Sequence, residues 1–126
     1  MDHDDVLEYC LQLPGAWQDE PWEDSLVAKV GSRIFAFFGS FGDEDGEGIG
    51  LKCGTGRDEA DEWLHRFPDD ARPMPYLARG GWNSLRIGVA IPDDELLEAV
   101  DASYTWVVSR LPRRERPGDA EPLSTN

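Results

Sequence analysis

The strongest constraint in this sequence is a pair of apolar runs joined by only two residues. Ser25 to Val30 and Arg33 to Phe38 flank Gly31-Ser32. A two-residue loop with glycine first is the chemistry of a type II′ hairpin, whose twist matches the strands it joins. On the first run Leu26, Ala28 and Val30 share a face. On the second, Ile34, Ala36 and Phe38 share one, with Phe35 and Phe37 opposite. Strand side chains alternate between faces, so apolar residues on both sides predict a sheet covered at least partly twice. A chain that commits to this hairpin so early is building an antiparallel sheet.

The remaining elements are read around that hairpin. Val6, Cys10 and Leu13 recur at helical spacing, which predicts a first helix from Asp2 or His3 to Leu13, capped by Asp2 and ended by Pro14-Gly15. Residues 17–23 read as a short edge strand, because Pro21 suits an edge and nothing more central. Ile49, Leu51 and Cys53 alternate with Gly50 and Lys52 as a half-buried strand does. Thr55, with Asp58 three residues on, is expected to cap a second helix whose stripe is Ala60, Trp63, Leu64 and Phe67. Pro73 and Pro75 keep residues 72–79 extended, Gly80-Gly81 reads as a second hairpin turn, and Trp82 to Val89 as the returning strand. A last helix opens at Pro92 and runs to about Leu111 on a stripe of Leu96, Val100, Ser103 or Tyr104, Val107 and Leu111. The expectation is a single α+β domain over residues 1–112, with a twisted antiparallel sheet of five to six strands backed by helices. Residues 113–126 carry charges and prolines without periodicity and are read as a disordered tail.

Composition narrows the function classes. Acidic residues number 26 and basic residues 12, a balance of −14. Residues 1–62 hold 16 acids against 4 bases, so that half repels polyanions. The start is acidic, and no run reaches the ~18–20 apolar residues that span a bilayer, so the expectation is a cytoplasmic chain without a membrane segment. Cys10 and Cys53 fall on apolar faces outside any CxxC pair and read as buried thiols.

Motifs for catalysis and cofactors are thin. His3 and His65 are the only histidines, and neither stands at ligand spacing from a cysteine, so zinc is not expected. The acidic run Asp43-Glu44-Asp45-Gly46-Glu47 has Gly54 where a calcium loop places its bidentate glutamate, and reads as a hydrated loop open to weak divalent binding. No Gly-Lys-Ser/Thr follows the glycines at 39–50, and no serine sits in a nucleophile elbow. Neither a cofactor nor an enzyme is expected. What remains is the region of the second hairpin, where Lys52, Arg72, Arg79, Arg86, Tyr76, Trp82 and Asn83 mix bases, aromatics and an amide. That mix suits a phosphate backbone with a base or peptide edge, while the bland alternative makes Trp82 core and the arginines solvated.

Several segments carry a resemblance in order and spacing: Tyr9-Cys10-Leu11 with Leu13-Pro14-Gly15, Val27-Ala28-Lys29-Val30-Gly31, Leu51-Lys52-Cys53, Trp82-Asn83-Ser84-Leu85, Pro92-Asp93-Asp94-Glu95-Leu96, Ser103-Tyr104 and Val107-Val108. From about residue 5 to residue 112 the sequence resembles the MmcQ/YjbR family, small bacterial proteins with a CyaY-like fold. The resemblance implies DNA binding through a double-wing arrangement. Lys52 matches the lysine of the family's Leu-Lys-Cys strand, and Trp82 and Asn83 match its tryptophan-asparagine pair. Where the family often has Lys-Arg-His before that tryptophan, this chain has Arg79-Gly80-Gly81. The expected function is therefore a small non-enzymatic binding protein, with DNA the implied ligand. Lys52, Arg79 and Arg86 would meet an anionic group, Asn83 would hydrogen-bond it, and Trp82 would stack. A second reading is an interaction module offering residues 19–24 and 43–47 to a basic protein partner. A third, by fold analogy alone, is weak metal or iron contact through surface carboxylates.

Overall fold

The Gly31-Ser32 turn closes as its residues demand. Val30 opposes Arg33 across it, and Gly31 takes φ +60, the left-handed value that a type II′ turn requires of its first central residue. In this computed structural model, which describes residues 1–22, 25–41 and 46–117, the turn joins β2 (Leu26–Val30) to β3 (Arg33–Ser40). Strict alternation fails once. Ala28 opposes Ala36 but Lys29 opposes Ile34, so Phe35 is the extra residue of a β-bulge. The bulge lets Phe35 and Ala36 both reach full burial, where alternation put them on opposite faces. Phe35 then meets Tyr104 edge-on at 5.3 Å between ring centres.

Four more strands complete the sheet: β1 (Ala16–Asp19), β4 (Glu47–Lys52), β5 (Ala71–Pro73) and β6 (Trp82–Arg86). Their order is β1-β2-β3-β4-β6-β5, and every neighbouring pair is antiparallel. This is the α+β architecture expected, with six strands. Helix α1 (His3–Leu11) gives Val6 and Cys10 to the core; α3 (Asp93–Arg110) gives Leu96, Val100, Tyr104 and Val107, with Ser103 buried among them. They pack with Phe35, Ile49, Leu51 and Leu85 of the sheet. Helix α2 (Arg57–Arg66) buries only Ala60 fully. No helix of the described residues is long and apolar enough to cross a membrane.

The helix starts show how local chemistry is settled by packing. At α1, Asp2 accepts from the Asp5 N–H while the Asp5 carboxylate accepts from the Asp2 N–H, a reciprocal cap. At α2 the cap is Gly56, not Thr55, and no side chain caps it. The Glu59 carboxylate instead reaches back to accept from the Thr55 N–H at 2.7 Å and hydroxyl at 3.0 Å, so Asp58 has no part in it.

Between β5 and β6 the expected tight turn at Gly80-Gly81 is absent. Residues 74–81 form turns and a short 3-10 segment, Ala78–Gly80, closed where Met74 N–H donates to Trp82 O. Gly81 sits at φ +89 with its backbone so near Gly54 that a Cβ would stand 2.2 Å from the Gly54 carbonyl oxygen. At the other end β6 stops at Arg86, and Gly88 turns away at φ +83, short of the expected Val89.

The chain after α3 does not leave the fold. Arg113–Glu115 make a 3-10 turn, and the Glu115 carboxylate accepts from the Ser32 N–H at 3.1 Å and hydroxyl at 2.7 Å. Residues 113–117 are thus held against the β2–β3 turn rather than trailing as a tail; the rest of the predicted tail, 118–126, lies outside the described residues. So do residue 23 of the predicted edge strand, which is observed as Ala16–Asp19, and residues 42–45 of the acidic loop.

Candidate functional site

Of the five residues singled out in the sequence, Lys52 and Trp82 come together beside Gly80, but Asn83 and Arg86 are drawn into other contacts. Lys52 opposes Trp82, Leu51 opposes Asn83, and Gly48 opposes Arg86 along the β4–β6 ladder. Lys52 and Arg86 are therefore four residues apart along the ladder. Asn83 projects to the opposite face and is fully buried. Its amide donates to the Ala60 carbonyl at 2.8 Å and accepts from Arg57 Nη2 at 3.0 Å, so it pins α2 to the sheet. Arg57 also bonds the carbonyls of Ala78 and Trp82 at 3.0 and 3.3 Å and the Asp61 carboxylate at 2.6 Å. Trp82 is half-buried, edge-on to Phe37 at 5.7 Å.

Arg86 pairs with buried Asp70 at 3.1 Å and lies 4.7 Å from the centre of the Phe41 ring. Arg72 lies 4.4 Å from the same ring, and the second Asp70 oxygen accepts from the Ala90 N–H at 2.8 Å. Arg86 is accordingly engaged in structure. Of the five singled out, only Arg79, on the 3-10 segment, is exposed. The positive strip that the residue types suggested is not assembled among the described residues. Nor is any group of three or more His, Cys, Asp or Glu there placed to hold a metal ion.

Lys52 leads somewhere else. Its backbone N–H donates to Ser103 Oγ at 3.1 Å, and that hydroxyl donates to the Phe35 carbonyl at 2.7 Å. The β3–β4 ladder has already ended at Phe37 and Gly50, so a helix hydroxyl bridges the two strands beyond their last pair. This anchors the start of the Lys52 side chain against α3. Its ammonium donates to the Gly80 carbonyl and lies 4.0 Å from the centre of the Trp106 ring. Burial and the nearby Arg110 cation hold Lys52 below the ordinary lysine value, with Glu59 pulling the other way.

Around this ammonium opens a cleft of about 430 Å³ between α2, α3 and the end of β4. Trp63 and Trp106 give it aromatic walls, and Cys53, Thr55 and Glu59 line the strand end. Arg66 on α2 and Glu95 on α3, 2.5 Å apart, tie the two helical walls together. The Trp106 indole N–H is buried and has no acceptor among the described residues. Burial pushes the Cys53 thiol up to about 12. Both cysteines are free.

The sequence reading included Lys52 but missed the cleft. A signal was available: Glu95, Ala99, Ala102 and Trp106 form a second flank on the last helix beside its core stripe, and the two alanines leave the space that Trp106 bounds.

Six antiparallel strands, helices packed on them, and an indole-walled cleft at the end of the fourth strand define a small α+β sheet protein. The chain belongs to the YjbR family, whose model matches residues 11–106. It is 30% identical over 114 residues to the uncharacterized protein YjbR of Escherichia coli K12, covering 89% of this chain and 92% of that protein. Among solved structures, protein DR2400 of Deinococcus radiodurans, a DUF419 domain, superposes with a TM-score of 0.76 at 23% identity, covering 90% of this chain and 84% of that one. A Pseudomonas syringae protein solved by NMR gives a TM-score of 0.66 at 17% identity, over 90% of this chain and 96% of that one. These two structures speak for the fold alone.

Proposed function

We propose that this chain is a non-enzymatic binding protein that takes a small ligand into the α2–α3 cleft. One observation carries the reading: a buried lysine ammonium lies 4.0 Å from the centre of the Trp106 ring in a cleft of about 430 Å³ that Trp63 also lines. Small-ligand sites are concave, mostly apolar and of this size, with a few placed polar groups. Binding is favoured over turnover by how the polar groups are held. A thiol at about 12 supplies little thiolate at neutral pH. Glu59 is tied to Thr55, which holds its carboxyl below the usual range and makes it a poor general base. Titrating the isotope-labelled chain with naphthalene-sized probes, neutral and charged, should shift amide signals clustered at residues 52–66 and 95–106. Ala102→Trp, which fills the cleft from an exposed position on α3, should abolish those shifts. Shifts scattered elsewhere, or none, would discard the reading.

DNA is the second reading. Arg72, Arg79 and Tyr76 are all exposed on and just after the β5 edge strand, and this favours it. Against it stands the chain's balance of −14 and the engagement of Arg86 with Asp70. If DNA binds here, affinity falls steeply with salt and Arg79→Ala flattens the slope by about one unit. A gel shift that stays empty at low salt removes it.

A further inference from the structure

The most buried cation of the described residues has no carboxylate of its own. Lys29, Arg57, Arg66 and Arg86 each meet one at 2.5 to 3.1 Å. Lys52, only 7% exposed, meets the Gly80 carbonyl and the Trp106 indole instead. A second cation is close by: the Arg110 guanidinium lies 4.9 Å from the centre of the same ring and also has no ion pair among the described residues. Two positive charges thus flank one indole, Lys52 lining the cleft and Arg110 just outside its lining, in a chain whose overall balance is −14.

Taking an ammonium out of water is costly unless an opposite charge or full hydrogen bonding meets it. The acids that line the cleft do not supply that charge by contact. Glu95 is engaged by Arg66, Glu59 by Thr55, and Glu98 is exposed with no partner among the described residues. The ammonium has three N–H donors, and Gly80 takes one. The buried Trp106 N–H has no acceptor among the described residues either. At the ammonium itself the cleft therefore offers unused donors, and among the described residues no carboxylate is in contact with them.

We propose that the cleft takes a small planar ligand carrying one anionic head group, a carboxylate or a phosphate monoester, with the head at Lys52, in the field of nearby Arg110, and the flat body against Trp106 and Trp63. The inference rests on the cleft being the ligand site. The charge of a bound anion also offsets the burial and the repulsion from Arg110 that hold Lys52 below its ordinary value.

Three probes of one shape test it on the full chain: naphthoate, naphthyl phosphate and neutral naphthol, followed by calorimetry and by amide shifts. At least one anion should bind about 10-fold or more tightly than naphthol, the margin of a charge-assisted hydrogen bond. Which anion wins identifies the head group. Lys52→Met should erase that margin and leave naphthol binding in place. Arg110→Gln, at an exposed position, should narrow the margin and keeps the test decisive should Lys52→Met not fold. Equal binding of all three probes, with shifts at the cleft, overturns the charge preference and leaves the cleft reading standing. A margin that neither substitution changes overturns it as well. No shifts at the cleft overturns both.

Discussion

Asn83 and Lys52 are neighbours in register on facing strands, yet one is a strut and the other faces a cleft. Because strand side chains alternate, one step along β6 moves a residue from the Trp82 face to the core. Asn83→Ala leaves Arg57 Nη2 and the Ala60 carbonyl without that partner and should lower the unfolding free energy by about 1–3 kcal/mol in urea melts. Residue types alone made Asn83 a ligand contact, because an amide beside arginines looks the same whether it reads a ligand or bolts a helix. Burial decides, and burial depends on which parity of β6 faces the helices. Lys52 gives a different prediction. Its value is lowered in the fold from 10.5, so between the folded and unfolded values the unfolded chain binds more protons. Wild-type stability should then rise, relative to Lys52→Met, as pH climbs toward 10.5, measured by paired denaturant curves. A difference that stays flat or falls across that window contradicts the burial argument.

The elements divide by how local their causes are. The β2–β3 hairpin was legible because a glycine-led two-residue turn and two flanking apolar runs specify it without help from elsewhere. The stripe of α3 was legible for the same reason: Leu96, Val100, Tyr104 and Val107 are buried as their spacing requires. The bulge at Phe35 was not, since it arises where Lys29 opposes Ile34 and lets two successive residues enter the core, a condition imposed by α3. Nor was the start of α2, where Gly54 and Gly81 bring two backbones together from distant parts of the chain. Gly81→Ala tests that crossing. It places a Cβ 2.2 Å from the Gly54 oxygen at a positive φ, and should cost about 2 kcal/mol or more, read as a fall in denaturant midpoint. A neutral effect would mean that the loop yields freely.

At the scale of the whole molecule, charge sets the tone. A balance of −14, with 16 of the acids in residues 1–62, makes self-repulsion a standing load on the compact state. Moderate salt should therefore raise the thermal midpoint, and a midpoint that drops with added sodium chloride would show that attractive pairs such as Lys29–Asp19 dominate instead. The clasp between Glu115 and Ser32 bears on where the folding unit stops. The sequence put that limit at residue 112, where proline and charge replace periodicity, but the segment that follows reaches back across the molecule to the β2–β3 turn. A protein trimmed at 112 should melt earlier than one trimmed at 117. Anyone shortening this chain for crystals or fusing a partner to its far end would be unfastening a buckle.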